Sequence, residues 1–346
     1  MTLVTHVRRS VCQREDAVSE ILGVTMLLAM VVMVIGGVFV LLGPFLEDIG
    51  DNREWSAGSV AATQLNDRIL IAAQSPEGTG LVQQNVQLSR SMTPLRDVET
   101  WTIQADIGGS DRTIVALDGN LVTVSSLNRT ASIVRITDDN RTQSFDLTGG
   151  SGNITVEGFL IGNVVIEVED IHGTISHRFI QVSLDGIRLN NELSKGNFEV
   201  DLINSARIET LPGNSIDVKQ FPRLRNDILL DGSSRVTLIL LDVEISESAS
   251  RQMTNVHIDS NGQVNLFNQQ ARNLILEFDI AGDPSIAPQY THHWTGDYEL
   301  FLAGGTLEDY HDFGPHERLS GLDGITLYPS NIPFELVVTL QSVEVY

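Results

Sequence analysis

The order of apolar and polar residues divides the chain into three stretches. The first, residues 21–46, is an apolar run in which Thr25 is the only polar side chain and no residue is charged. Read as a helix rising about 1.5 Å per residue, it is long enough to cross a hydrocarbon layer of roughly 30 Å. A buried core helix would instead need a domain wrapped around all of its sides. The pattern therefore predicts a membrane-spanning helix over residues 18–46.

A narrower apolar stripe follows in residues 47–74. Apolar or small residues recur there at alternating three- and four-residue steps, which predicts an amphipathic continuation of the helix: Trp55, Gly58, Ala62, Leu65, Ile69 and Ala72. Gly43-Pro44 predicts a kink, and Ser75-Pro76-Glu77-Gly78 predicts the helix end. Two readings of the stripe stay open. It packs on the chain's own domain, which we favour, or it forms a coiled-coil stalk.

From about Leu81 the apolar pattern has a period of two. Alternation is clear in residues 163–169, 274–280 and 334–340, and a reversed phase after Leu340 predicts a bulge near Gln341. Five pairs indicate hairpin turns: Asp118-Gly119, Asp185-Gly186, Asp231-Gly232, Asn261-Gly262 and Asp323-Gly324. The predicted fold class is mainly β, with a long N-terminal transmembrane α-helix followed by an antiparallel β-sandwich-type domain over residues 75–346. Two modules meeting near residues 190–196 remain an open alternative.

Composition adds a location and excludes one class of partner. Acidic residues outnumber basic ones 45 to 22, for a formal net charge of −23. This excludes the basic surface that a nucleic acid partner requires. Only Lys195 and Lys219 are lysines, and such an acidic, lysine-poor composition resembles that of proteins from salt-loving archaea. Arg8, Arg9 and Arg14 precede the apolar run and acids follow it, so the positive-inside rule predicts a cytoplasmic leader, residues 1–17, and an extracellular domain.

The start of the apolar run carries a family resemblance. Residues 15–23 read Glu-Asp-Ala-Val-Ser-Glu-Ile-Leu-Gly: charge, a small residue, Val-Ser, an acid and Ile-Leu-Gly, ahead of the apolar helix. Residues 14–46 resemble the N-terminus of archaeal type IV pilins and archaellins, although Arg14 stands further from the cut than the basic residue of many members. The resemblance implies that a prepilin peptidase cuts between Ala17 and Val18 and leaves the helix on the mature protein.

The same resemblance implies a filament subunit. The helix would first hold the subunit in the lipid bilayer and then pack against the helices of other pilin-like subunits. Glu20 would pair with the free amine of a neighbouring subunit or lie at headgroup level, and both readings stay open. Gly23, Gly36, Gly37 and Gly43 would allow close helix approach. The predicted function is a type IV pilin-like surface protein that displays a β-rich domain, with no enzyme activity and no cofactor.

Candidate chemistry is sparse in the rest of the chain. The sequence has no nucleophile elbow, no zinc helix motif and no P-loop, and its single cysteine, Cys12, excludes an intramolecular disulfide. One stretch contains residue types that bind metals, but its spacing matches no established site, so no metal is predicted: His292, His293, Asp297, His311, Asp312 and His316. The alternative function is a singly anchored, ligand-binding or metal-dependent hydrolytic domain that uses this stretch and does not polymerise.

Three N-x-[ST] sequons lie close together, at Asn128, Asn140 and Asn153. Three sequons in one turn-rich region of an exported domain indicate N-glycosylation. If they are used, residues 128–155 form an outward surface rather than a subunit contact.

Overall fold

The structure is a computed structural model that describes residues 9–84, 91–107, 113–119, 121–126, 130–138, 141–147, 153–157, 162–213, 215–220, 223–246, 255–279, 316–318, 324–327 and 332–346. The predicted fold class is confirmed, because one long N-terminal helix is followed by a strand-rich domain. The chain divides into two compact units, Met1–Glu54 and Trp55–Tyr346.

The helix, α1, runs from Arg9 to Ala73. It continues through Pro44, where the sequence predicts a kink. Its end agrees with the predicted stop signal, because Ser75 N donates to Ala72 O at 2.8 Å. Gly78 then adopts a φ of 79°, which glycine tolerates best, and leads into the first strand.

Eighteen strands follow in the described residues. Their bounds are β1 Gly80–Gln84, β2 Ser91–Ile107, β3 Thr113–Asp118, β4 Leu121–Ser126, β5 Ala131–Thr137, β6 Thr142–Asp146, β7 Asn153–Glu157, β8 Val164–Asp170, β9 Ile175–Leu193, β10 Gly196–Ile203, β11 Ala206–Leu211, β12 Ser215–Gln220, β13 Arg223–Ile228, β14 Ser234–Ile245, β15 Asn255–Asp279, β16 His316–Arg318, β17 Gly324–Leu327 and β18 Phe334–Val345.

Fifteen of these strands form one main sheet, ordered β12-β11-β10-β9-β2-β15-β18-β14-β13 along its central path. A second sheet contains three strands, ordered β3-β4-β7. The described ladders are antiparallel except for β14 and β18, which run parallel from Arg235 opposite Glu335 to Ile245 opposite Val345. The predicted antiparallel domain therefore contains a parallel pair at the position of its C-terminal strand.

Three apolar cores hold the domain together. The first includes Trp101 and Phe267, the second joins the last turns of α1 to the main sheet, and the third lies at the three-stranded sheet. Leu240 and Leu241 are adjacent on β14, yet they belong to the first and second cores respectively. Because neighbours on a strand point to opposite faces, these two cores lie on opposite faces of the main sheet.

The change of core explains the phase reversal in β18. Its buried residues alternate up to Val338 and resume in the other phase from Gln341. The ladder between β14 and β18 keeps its register throughout. The shifts lie in the partner strand β15, between Ser260 and Gly262 and between Asn265 and Phe267. The reversal is therefore confirmed, but the bulge lies in β15 and not at Gln341.

Two predicted hairpin turns are confirmed and two are wrong. Asp118-Gly119 joins β3 to β4, and Asp231-Gly232 lies between β13 and β14. Asp185-Gly186 lies inside β9 and Asn261-Gly262 lies inside β15, where Gly262 has a φ of 90° beside the register shift. Glycine serves close strand approach or a bulge at these two places, which the dipeptide alone does not distinguish from a turn. Asp323 lies outside the described residues.

Residues 190–196 belong to the hairpin between β9 and β10. Leu193 pairs with Gly196 across a two-residue turn, and both strands lie in the main sheet. The next turn, Asn204-Ser205, has φ values of 47° and 65°, which match a tight two-residue hairpin. The main sheet is thus continuous where the sequence left a module boundary open.

The stripe on the second part of α1 packs on the chain's own domain. Ala62, Leu65 and Ala72 have no exposed surface, and Ile69 is 1% exposed. Trp55 stays partly exposed and meets the ring of Phe198 edge-on, with centroids 6.5 Å apart. Of the two readings of the stripe, packing on the domain is therefore confirmed.

Polar contacts fix the register of this part of the helix. Ser59 Oγ donates to Glu209 Oε1 at 2.8 Å, and Asn66 Nδ2 donates to Gln220 Oε1 at 3.0 Å. The guanidinium of Arg207 donates to Thr63 Oγ1 between them. Successive turns of α1 therefore contact β11 and β12, and the helix is fixed both along and around its axis.

Candidate functional site

The apolar segment of α1, residues 21–46, is the candidate functional site. Leucine, methionine and alanine favour the helix, and the segment's large apolar side chains are between 47% and 77% exposed. Among the described residues, α1 is the one helix long and apolar enough to cross a membrane by length and composition. Its most apolar window is entirely unburied. A large apolar surface is thus left without cover.

The single polar side chain of this segment is hydrogen-bonded. Thr25 Oγ1 lies 3.0 Å from Ile21 O and 2.9 Å from Leu22 O, so its hydroxyl bonds within the helix. The helix satisfies its own backbone groups as well, apart from the donor that Pro44 lacks. The segment therefore meets the hydrogen-bond requirement for burial in hydrocarbon.

The residues expected to act in assembly are placed as follows. Ala17 and Val18 lie within α1, but their side chains are outside the described part. Glu20 is exposed immediately before the apolar segment. A Cβ added at Gly23, Gly36 or Gly37, and likewise at Gly43, would meet nothing within 4 Å. These glycines leave open space on the helix surface, and their predicted role against other subunits stays a prediction.

The other sequence candidates fall mostly outside the described residues. The structure does not describe Asn128, Asn140 or residues 292–312. Asn153 is the first residue of β7, and His316 begins β16. In the portion of the chain that is described, no group of three or more His, Cys, Asp or Glu side chains is arranged to hold a metal ion. The sequon predictions stay predictions.

A buried polar contact between the two sheets was missed by sequence reasoning. Gln104 Oε1 accepts from Val115 N at 3.0 Å, and its Nε2 donates to Val115 O at 3.1 Å. Two residues further along β2, Asp106 Oδ1 accepts from Thr113 N at 3.1 Å. These side chains take the place of a neighbouring strand for β3. In the sequence, this contact is indicated only by two polar residues at alternate positions of β2. The same pattern also fits a strand whose polar face is exposed to solvent.

Asp106 has two further partners in this contact. His177 Nδ1 lies 2.8 Å from Asp106 Oδ1, and Asn273 Nδ2 donates to Asp106 Oδ2 at 2.7 Å. Asp106 and His177 are each 1% exposed. The second ring nitrogen of His177, Nε2, is buried without a hydrogen-bond partner. We call Gln104, Asp106, Thr113, His177 and Asn273 the inter-sheet cluster.

A second group of acids lies where β2, β9 and β14 meet. Burial raises the pKa of Asp242 from its ordinary value of 3.8 to about 6. The N–H of Asp185 donates to Asp242 Oδ1 at 2.8 Å and opposes this rise, while the carboxylates of Asp185, Glu244 and Asp97 add to it. By contrast, hydrogen bonds from the hydroxyl and N–H of Ser233 lower the pKa of the exposed Asp231.

Comparison with known proteins finds no matching family model, no matching curated protein and no matching solved structure. The described geometry itself defines a strand-rich domain with one N-terminal apolar helix, consistent with a single-pass membrane protein in contact with the lipid bilayer. The functional argument therefore depends on the chain's own residues.

Proposed function

We propose that this chain is a type IV pilin-like surface protein. Its apolar helix anchors the subunit in the bilayer and then packs against other pilin-like subunits in an extracellular filament. The observation that carries the proposal is the uncovered apolar surface of residues 21–46, where every large apolar side chain is at least 47% exposed. Burial of one such side chain contributes about 1.5–3 kcal/mol, so the segment strongly favours lipid or partner helices over water.

The residues around the segment support this particular partner class. Residues 14–46 resemble the archaeal pilin and archaellin N-terminus in the order of their residue types, and we place the cut between Ala17 and Val18 on that resemblance. Prepilin peptidase is therefore the proposed processing enzyme. Arginines precede the segment and acids follow it, which orients the N-terminus toward the cytoplasm and the β-rich domain outward.

The β-rich domain is the part displayed at the surface. Its three cores contain no disulfide, and the second core incorporates the last turns of α1. The helix that enters the membrane or filament is thus also part of the displayed domain. We assign the domain to adhesion or surface structure, without a catalytic role. A high density of surface carboxylates suits a salt-rich exterior, because salt screens their mutual repulsion.

The mature N-terminus tests the proposal directly. Mass spectrometry of cell-surface material is expected to find a chain that begins at Val18, or within one residue of it. Processing there leaves Ile21–Leu46 on the mature protein. An intact Met1, or a chain that begins beyond Leu46, would contradict the proposal.

Polymerisation needs a separate measurement, because a singly anchored protein would also insert in the bilayer. We expect the chain in filaments sheared from cells, and expect Gly36→Leu to reduce that fraction while leaving membrane association intact. Val264→Leu on the sheet surface is the matched control, since Val264 is 60% exposed. Recovery of the wild-type chain only in the membrane fraction would favour the singly anchored alternative. A stoichiometric metal lost on His311→Ala would favour its hydrolytic form.

A further inference from the structure

One dipeptide of β15 lies in an exposed bulge that the proposed function does not use. Asn261-Gly262 is the single Asn-Gly pair in the sequence, and the side chain of Asn261 is exposed. The ladder between β15 and β18 passes from Ser260 directly to Gly262, and the ladder between β15 and β1 ends at Asp259. Asn261 therefore has no partner residue in either of these described ladders, and a bulge of this kind locally interrupts strand pairing.

Glycine at position 262 leaves its backbone nitrogen unshielded. Gly262 has a φ of 90°, which favours glycine, and a Cβ there would lie 3.3 Å from Glu77 Cβ. Because residue 262 has no side chain, none stands between its nitrogen and the side-chain carbonyl of Asn261. The N–H of Gly262 donates to Ser260 Oγ at 3.2 Å, at the long end of the hydrogen-bond range. The bulge thus places a weakly held nucleophile next to an exposed carboxamide.

We propose that Asn261 is a site of spontaneous deamidation, and that its isoaspartate product loosens the attachment of the helix end to β15. The nitrogen of Gly262 loses its proton to a base in the solvent and attacks Cγ of Asn261. A C–N bond forms, the bond between Cγ and Nδ2 breaks, and Nδ2 leaves as ammonia after taking a proton from water. Water then opens the resulting succinimide at either carbonyl, which yields aspartate or isoaspartate.

Ser260 connects this bulge to the end of α1. Gly78 N donates to Ser260 O at 2.8 Å, and Ser260 N donates to Thr79 O at 3.0 Å. The hydroxyl of Ser260 donates to Ser75 O at 3.0 Å. In isoaspartate the backbone runs through the former side chain, so it is one methylene group longer between residues 261 and 262. The added length displaces Ser260 from these three contacts, which loosens the connection between α1 and β1.

Peptide mapping of the full chain in detergent micelles tests the reaction. The folded protein is incubated in H₂¹⁸O at mildly alkaline pH, so each residue that converts during the incubation takes up one heavy oxygen atom. Asn268 is exposed on the same strand and is followed by Gln269, so it is the internal reference. We expect labelled isoaspartate at position 261, at a level at least about tenfold that at position 268. A level no higher than at position 268 would overturn the proposal.

The products and two variants identify the route. Only the succinimide gives isoaspartate, so labelled aspartate alone at position 261 would also overturn the proposal. In Asn261→Gln the longer side chain would have to close a larger ring, and labelling at position 261 is expected to disappear. The matched control Asn268→Gln is expected to leave it unchanged. Labelling at position 261 that persists in Asn261→Gln would contradict the ring closure.

Hydrogen exchange tests the loosening. Converted chains carry one more negative charge, so anion exchange separates them from the unconverted chain. The amides of Gly78 and Ser260 report on the contacts with the helix end, and those of Val200 and Ile208 in the hairpin β10–β11 are the internal reference. We expect the converted sample to contain a population in which protection of the first pair relative to the second is at least about tenfold lower. A converted sample with the ratio of the unconverted chain would overturn the loosening.

Asn261→Asp separates the added charge from the added backbone length. This variant carries the charge of the product on a backbone of normal length, so it is expected to keep the wild-type protection ratio. A ratio as low in Asn261→Asp as in the converted sample would show that charge causes the loosening, and would overturn the role of the lengthened backbone.

Discussion

Two apolar segments of the same helix differ in how their apolar residues are arranged. In residues 21–46 the apolar side chains cover all sides, and they remain exposed. In residues 58–72 they form one stripe, and that stripe is buried in the second core with β-strands of the same chain. A stripe can be covered by one sheet face, whereas a helix that is apolar all round needs partners on every side. The arrangement thus separates a stripe that the chain covers itself from a segment that the chain leaves uncovered.

The largest expected effect comes from a substitution in the buried stripe of the helix. Leu65→Ala removes a fully buried side chain from the second core, and we expect the free energy of unfolding to fall by about 3–4 kcal/mol. Leu41→Ala is the matched control, because Leu41 is 72% exposed on the same helix. Chemical denaturation of both variants in detergent micelles measures the difference. Equal losses for the two variants would mean that the stripe does not hold the domain.

A charge placed in the exposed apolar segment tests whether that segment enters the membrane. Val34→Arg lies near the middle of residues 21–46, where an arginine in a membrane helix costs about 2.5–3.5 kcal/mol. We expect a smaller share of the chain in the membrane fraction and unchanged unfolding of the β-rich domain. Val264→Arg changes a similarly exposed valine on the sheet and is expected to leave membrane association unchanged. Equal membrane shares for Val34→Arg and wild type would count against membrane burial of the segment.

The two segments also indicate how much the sequence could predict. The apolar segment follows from an uninterrupted run of apolar residues and the stripe follows from periodicity, because each is a local pattern along one helix. Gly58, Ala62, Leu65, Ile69 and Ala72 are buried as the stripe requires. Even the phase reversal in β18 could be read from its alternating residues. Such features need only the direction in which each side chain points.

Features that depend on distant partners could not be predicted in this way. Asp185-Gly186 matches a turn dipeptide, but it is inside β9, where Gly186 lies against β10. Gln104 and Asp106 look like the polar face of a strand, yet they bond to β3. The parallel pairing of β14 and β18 joins residues about a hundred positions apart, and no local pattern specifies it. The apolar segment 21–46 was predictable because its pattern is local and does not depend on a distant part of the chain.

A pair of glycines sharpens the contrast between open and closed surroundings. A Cβ at Gly186 would lie 2.8 Å from Leu202 O and 2.9 Å from Ile203 Cγ1, so Gly186→Ala must displace backbone of β10. We expect a loss of about 2 kcal/mol in the free energy of unfolding. Gly36→Ala meets nothing within 4 Å, and helix propensity favours alanine, so no loss is expected. Denaturation curves that agree for Gly186→Ala and wild type would contradict the close strand approach.

The smallest expected effect concerns a buried carboxyl group. Residues 21–46 contain no ionisable side chain, whereas the interior of the β-rich domain contains Asp242. Because burial raises the pKa of Asp242 to about 6, the folded chain holds a proton there more tightly than the unfolded chain. The protonated carboxyl of Asp242 therefore contributes stability that is present at about pH 4 and is lost as pH rises through about 6. At pH 7 the ionised, buried carboxylate is unfavourable, so we expect Asp242→Asn to raise the free energy of unfolding by about 1 kcal/mol. The same variant is expected to flatten the pH dependence of that free energy. Asp231→Asn is the control of opposite sign, because hydrogen bonds from Ser233 lower the pKa of Asp231. The stability that ionised Asp231 contributes is lost as pH falls through the acid range. Denaturation between about pH 4.5 and pH 7 measures the effect at Asp242, and denaturation between about pH 4.5 and pH 2.5 measures the opposite effect at Asp231. A variant Asp242→Asn that is less stable than wild type at pH 7 would show that the ionised carboxylate, through the N–H of Asp185, stabilises the junction of β9 and β14.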